Sequence, residues 1–142
     1  MSVSDAMPVT TQYITTDLEF DGPVSLARVV AELGDDVVIH LDERDGDGHR
    51  VALGIGVDDD PERSVACYCS LLERLSPAAR RAWDQCVRRV LDIAFEGGTT
   101  PLRAAFALSP ALLARTVDLK LGIVITIYRV GAYSDEDDDR GP

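Results

Sequence analysis

Residues 108–130 read LSPALLARTVDLKLGIVITIYRV and decide the fold, because they predict a helix followed directly by a strand. Ser109 is a favourable N-cap, and Pro110 suits the first helical position, where no amide donor is required. Gly122 is expected to take the left-handed conformation that ends the helix. Isoleucine at every second position after it predicts a strand with one apolar face. We expect a central strand of a sheet, with Ile125 buried.

The rest of the chain alternates between strand and helix patterns. Apolar residues at every second position predict four further strands, near residues 13–20, 36–42, 51–57 and 88–96. Between them, apolar residues at helical spacing predict a short helix that ends at Gly34 and two longer ones. Those two begin at Asp60-Pro61 and Ser76-Pro77, each with a capping residue before a proline.

The order of these elements indicates the fold class. Each strand has one apolar and one polar side, which is typical of a sheet covered on one face only. We therefore predict an α+β fold: a five-stranded mixed sheet with helices packed on one face. Its first six elements follow a ferredoxin-like βαββαβ order, and an additional αβ unit extends it. A single domain is expected at residues 12–130, between a disordered N-terminus at 1–11 and a disordered acidic tail at 131–142.

Charge and composition exclude several classes of partner. The chain has 25 acidic and 14 basic residues, a formal net charge of −11 at pH 7. Without residues 135–140 it still has 20 acidic against 13 basic residues, so the whole surface repels phosphates. Nucleic-acid and membrane binding are therefore not expected, whereas a basic protein would be attracted. With neither a secretory signal nor a long apolar run, the predicted location is the cytoplasm.

Short motifs do not indicate a cofactor. Cys67, Cys69 and Cys86 are odd in number and lack a CxxC spacing, so we interpret them as buried thiols. Residues 43–54 match the start of a calcium loop but end on glycine where a bidentate glutamate is required. Gly54 and Gly56 lack the third glycine and the following helix of a dinucleotide-binding loop. No cofactor is predicted.

The uncovered face of the sheet is the candidate site. Polar residues at outward positions of the predicted strands would share it, beside a strip of small residues in the third strand. The candidate binding residues are Asp17, Glu19, His40, Asp42, Arg50 and Asp92. One interpretation is a solvated surface that binds a partner. The alternative is a divalent-metal or acid–base site made of Asp17, His40 and Asp42.

Several segments carry a resemblance: Trp83-Asp84, the strand at 90–96, and the LSPALL helix start that leads into ITIY at 125–128. In these, and in its element order from residue 13 to 128, the chain resembles small bacterial α/β domains of unknown function (DUF families). Some of those domains are similar to the immunity proteins of toxin systems. The resemblance implies a fold and an inhibitory role, and it carries over no functional residue.

These observations favour a non-enzymatic, cytoplasmic protein-binding module, of which an immunity-type inhibitor of a basic protein is one form. The alternative is a small metal-dependent enzyme that uses the acidic and histidine residues of the open sheet face. Homo-oligomerisation through the sheet face or through an edge strand is a further expectation, since both surfaces can pair with a copy.

Overall fold

The computed structural model describes residues 9–56, 60–99 and 104–129. The predicted disorder of residues 1–8 and of the acidic tail at 131–142 falls outside these ranges. A single 3-10 turn, Gly34–Asp36, joins the first helix to the second strand. The regular elements are β1 (Gln12–Gly22), α1 (Ala27–Leu33), β2 (Val37–Asp45), β3 (Gly48–Ile55), α2 (Pro61–Glu73), α3 (Pro77–Asp84), β4 (Arg88–Glu96), α4 (Pro110–Asp118) and β5 (Gly122–Tyr128).

The five strands form one sheet in the order β2-β3-β1-β4-β5. All neighbours are antiparallel except β4 and β5, which are parallel. The predicted α+β class and five-stranded mixed sheet are confirmed. The expectation that residues 122–128 form a central strand is wrong, because among the described strands β5 has a neighbour on one side only. A helix-to-strand pattern does not reveal where in the sheet its strand will be placed.

The helices contribute to a single core on one face of the sheet. Leu18 of β1, Leu53 of β3 and Leu91 of β4 point into it and are fully buried. Tyr68 of α2 and Trp83 of α3 meet them from the helix layer. The opposite face of the sheet, which we call the open face, is not covered by any helix in the described ranges.

The predicted helix starts are confirmed by their caps. The side chain of Asp60 accepts a hydrogen bond from the Arg63 amide, and Ser76 and Ser109 accept in the same way from residues three positions on. Each cap is followed by proline at the first helical position, where the missing amide costs no hydrogen bond. These caps fix where α2, α3 and α4 begin.

The end of α4 differs from the expectation. The helix stops at Asp118, and Lys120, with φ of 60°, takes the left-handed conformation. Gly122 is already the first residue of β5, so its predicted role as the helix end is wrong. The chain turns two residues earlier because the Leu121 amide bonds back to the Thr116 carbonyl.

One guanidinium joins the ends of α3 and α4 to the sheet. Arg89 of β4 donates to the carbonyl oxygens of Trp83 and Cys86, and to that of Lys120. The indole of Trp83 donates to the Leu119 carbonyl at 3.0 Å. Carbonyls at a helix C-terminus have no partner within the helix, and a cation there is favourable. These bonds hold the turn before β5 against the core.

Candidate functional site

The register of the strands determines which side chains share the open face. Asp17 of β1 lies opposite Gly54 on one side and Asp92 on the other. Glu19 lies opposite Ala52, in the next outward row. Directly paired residues of neighbouring strands point to the same face. The structure therefore brings Asp17, Glu19 and Asp92 together, as the sequence predicted.

Two aspartates occupy paired positions in the middle of this surface. Asp17 and Asp92 are directly paired on the adjacent strands β1 and β4. Thr126 of β5 donates its hydroxyl to Asp92 Oδ1 at 2.7 Å, which orients that carboxylate. Like charges in direct cross-strand pairs repel each other, so this part of the open face is acidic.

His40 lies over the small residues of β3. A bulge in β2 between Ile39 and Leu41 lets its ring reach across the open face, and its Nε2 is 3.9 Å from Asp17 Oδ1. A Cβ atom on Gly54 would be only 2.8 Å from that nitrogen. Glycine at position 54 thus allows the imidazole to approach the backbone, which explains part of the strip of small residues in β3.

The cationic residues of the open face have acidic neighbours of their own. Arg88 contacts Glu19 at 3.0 Å, and Arg50 lies 3.9 Å from Glu43 of β2. All four side chains are at least one-third exposed, so each pair contributes little to stability. Around Ala52, the side chains of Glu19, Arg50 and Arg88 border a shallow depression.

Asp42 does not lie on the open face, and its inclusion in the candidate set is wrong. Because the β2 bulge adds one residue, the strand's alternation inverts after it, and Asp42 lies opposite Val51, a core residue. Its Oδ1 is 2.6 Å from Nε2 of His49. The predicted metal set of Asp17, His40 and Asp42 is therefore split between two faces.

His49 forms a buried polar contact that sequence reasoning missed. Only 3% of it is exposed, and its Nδ1 accepts a hydrogen bond from the Leu26 amide at 2.7 Å. Since Nδ1 accepts, the proton of the neutral ring is on Nε2 and is donated to Asp42. The imidazole thus connects the start of α1 to the β2–β3 hairpin. The only sequence signal was the alternation of β3, which places residue 49 on the side of Val51.

Other chemistry is not supported by the described part of the chain. Within it, no group of three or more His, Cys, Asp and Glu side chains could hold a metal ion. Burial raises the pKa of the Cys69 and Cys86 thiols to about 11, so both are protonated at neutral pH and are poor nucleophiles. None of the described helices is long and apolar enough to cross a membrane.

A second surface, which the sequence analysis did not anticipate, lies beside β5. Phe95, Phe106, Leu108, Leu113 and Ile125 line an apolar groove of about 270 Å³. The groove exists because no described helix extends over the far part of β5, so two of its inward isoleucines, Ile125 and Ile127, are left exposed. Alternation had correctly predicted the apolar face of the strand, but it could not show that the face has no cover.

We found no protein-family model, no curated protein and no solved structure that matches this chain. The ferredoxin-like assignment of its first six elements and its resemblance to DUF-type domains therefore stay predictions.

Proposed function

We propose that this chain is a non-enzymatic protein-binding module whose open face binds a basic protein. The observation that carries the proposal is the direct pairing of Asp17 and Asp92 on adjacent strands. Like charges so placed repel each other, and a cation held between them would relieve the repulsion. A lysine or arginine of a partner is such a cation.

The charges around this pair favour the same kind of partner. Asp21 also faces outward, opposite Arg50 and Arg88. These two arginines already lie near Glu43 and Glu19, so their charge is largely compensated within the chain. An acidic surface with its own cations engaged attracts basic proteins and raises their association rate.

The shape of the open face is better suited to binding another protein than to binding a small substrate. The uncovered strands present short side chains at Ala52 and Gly54, with the His40 ring lying over Gly54. A partner can therefore approach the backbone at Ala52, beside the His40 ring. Interfaces of this kind combine polar rims with direct hydrogen bonds, for which exposed carboxylates supply acceptors.

An immunity-type inhibitor that acts in the cytoplasm is the specific form of this proposal. It is supported by the acidic charge of the chain and by the resemblance in its helix caps and final strand. The metal-dependent alternative is not favoured, because Asp42 bonds to His49 on the other face of the sheet.

The proposal is tested by capture of partners on the immobilised full chain, in extract of the source cells and at a series of salt concentrations. The test variant is D17N/D92N, in which the new amide oxygen at position 92 can still accept the bond from Thr126. The control is D35N/D36N, which makes the same change in charge at two exposed residues of the 3-10 turn. Melting curves should show that both variants fold.

We expect one basic protein to be retained by the wild type and by D35N/D36N, and to be lost by D17N/D92N. Its retention should fall as salt rises, since ionic contacts at a surface are screened. Equal retention by both variants would overturn the proposal, as would an acidic partner or no partner under any condition.

A further inference from the structure

The exposed edge of the sheet at β5 has no charge. Its seven residues, Gly122–Tyr128, are GIVITIY, in a chain with a net charge of −11. Ile125 is 62% exposed and Ile127 68% exposed. Edge strands of soluble proteins are usually protected by charges, prolines or bulges, because their free backbone groups can pair with another chain. Residues 122–128 contain none of these.

The apolar surface continues from β5 onto its neighbours. Leu113 of α4 lines the groove with Ile125, and Phe106 lines it from the segment before the helix. Val117, one helical turn after Leu113, is 71% exposed. We call Phe106, Leu113, Val117, Ile125 and Ile127 the β5 surface. Contiguous exposed apolar residues of this kind mark interaction sites.

We propose that the β5 surface binds a second copy of this chain, with the two β5 strands antiparallel about a two-fold axis at Ile125. This centre pairs all seven residues, since Gly122 then lies opposite Tyr128 and Ile123 opposite Ile127. The two sheets would join into one. The α4 helices, which pack on the same face as Ile125, would bring Leu113 and Val117 to the shared core. A two-fold contact uses the same patch on both copies.

The charge of the chain favours a second copy as the partner of the β5 surface. Two copies of a chain with a net charge of −11 repel each other, and the repulsion is smallest where they meet through a surface without acids. The β5 surface meets this condition, and an uncharged patch is electrostatically complementary to itself. These five residues include no carboxylate, so the β5 surface does not attract the basic partner proposed for the open face.

The direction of pairing also follows from charge. Five consecutive acids at 135–139 follow β5 in the chain, and Lys120, whose half-exposed side chain contacts Asp84 at 3.3 Å, precedes it. In an antiparallel pair, the C-terminal end of each β5 lies beside the N-terminal end of the other. The end that leads to the acids of one copy is therefore next to Lys120 of the other copy. Parallel pairing would place both acidic segments at one end, where they repel.

The oligomeric state of the full chain is the first test, measured by sedimentation velocity across roughly a hundredfold range of concentration. We expect a concentration-dependent dimer for the wild type. Ile125→Lys should weaken it by at least about tenfold, because the ammonium would be buried without a partner. The matched control is Val38→Lys, at an equally exposed residue (60%) on the opposite edge strand, and should leave the dimer unchanged.

A wild type that is monomeric throughout would overturn the proposal, and so would a dimer lost with Val38→Lys but kept with Ile125→Lys. Both residues are largely exposed in the single chain, so neither substitution should prevent folding. Circular dichroism of each variant should show the wild-type fold.

Disulfide formation tests the direction of pairing. Antiparallel partners lie about 4.5–5.5 Å apart at Cα, within disulfide reach, so Ile125→Cys should form a covalent dimer on mild oxidation. Ile127→Cys should not, because two residues 127 would be roughly 13 Å apart. Linkage at 127 would show parallel pairing and contradict the proposal. The wild type, with its three native cysteines, is the control.

The dimer is independent of the function proposed for the open face. D17N/D92N should sediment as the wild type does, because Asp17 and Asp92 are outside the β5 surface. If D17N/D92N loses the basic partner but stays dimeric, the two surfaces act separately. If the basic partner is still captured by a chain that is monomeric, only the proposed dimer is overturned. A dimer lost with D17N/D92N would place the contact on the open face and overturn the second proposal.

Discussion

The two edges of the sheet are built differently. At one edge, β2 contains the bulge near His40 and then the charged run from Asp42 to Asp45. At the other edge, β5 is regular, parallel to its neighbour and uncharged. Both edges expose apolar side chains, since Val38 of β2 is as exposed as Ile125 of β5. Bulges and charges are devices that prevent edge-to-edge association, and only β2 has them.

Exposure of an apolar side chain does not by itself distinguish the two edges. Val38 is followed by the bulge and by the charged run of its own strand, whereas Ile125 continues into an apolar groove and a helix stripe. One edge is protected against pairing, and the other is available for it. The four predictions that follow test this contrast, from the largest effect to the smallest.

The largest difference in stability is expected between substitutions in β4 and in its edge neighbour β5. Ile93 and Ile125 are paired and point to the same face, but only Ile93 is buried, at 2% exposure. Ile93→Ala should lower the free energy of unfolding by about 2–5 kcal/mol, through lost transfer energy and an unfilled cavity. Ile125→Ala should cost less than about 1 kcal/mol in the dilute, monomeric chain.

Chemical denaturation at low concentration measures both variants. If the losses were equal, β5 would be covered in the single chain and the contrast between the edges would fail. A cost of Ile125→Ala that grows with concentration would instead support the dimer.

At the β2 edge, the buried imidazole should matter more than the exposed one. His49→Ala removes the acceptor of the Leu26 amide and the donor to Asp42, and should cost about 1–3 kcal/mol. His40→Ala removes the ring over Gly54 and should change stability by less than about 0.5 kcal/mol. Thermal melts of the two variants decide this, and a larger loss with His40→Ala would contradict the assignment.

The bond between β5 and β4 on the open face should contribute a smaller amount. Thr126→Val keeps the shape of the side chain and removes the hydroxyl that donates to Asp92. We expect a loss of about 0.5–1.5 kcal/mol in urea denaturation. Thr15→Val, on the same face of β1, is the control. If both substitutions were neutral, the Asp92 carboxylate would not be oriented by Thr126.

The smallest effect concerns the ion pair between Arg115 and Glu73, which joins α4 to α2. Two hydrogen bonds from Arg115 keep the pKa of Glu73 below its ordinary value. A lowered folded-state pKa adds stability above the ordinary glutamate range, and that stability is lost as pH falls through the lowered pKa. Glu73→Gln should therefore cost less than about 1 kcal/mol at neutral pH and nothing in stronger acid. A loss of stability on Glu73→Gln that persists in acid would show that Glu73 stabilises the fold through something other than its charge.

Local signals predicted most of the fold. Asp60, Ser76 and Ser109, each followed by proline, act through bonds within one helical turn, so their roles could be inferred without knowledge of the rest of the chain. Strand alternation was equally local. Lys120 shows the limit, because it takes the left-handed conformation after the helix although a glycine is available two residues later.

The remainder could not be predicted because it depends on strands distant in sequence. A bulge is a single added residue without a marker of its own, yet the one in β2 turned Asp42 toward His49. A second irregularity in β1, between Tyr13 and Thr15, places Tyr13 beside Ser64 on the helix side. Likewise, alternation in β5 specifies an apolar face, but whether a helix covers that face depends on strand order.

Amide hydrogen exchange at two protein concentrations tests the contrast between the edges most directly. Backbone groups that pair with a second copy exchange more slowly when the copy is bound. We predict that amides of Gly122–Tyr128 gain protection at the higher concentration, while those of Val37–Asp45 do not change. Protection that is independent of concentration in both strands, or that grows in β2 instead of β5, would contradict the account.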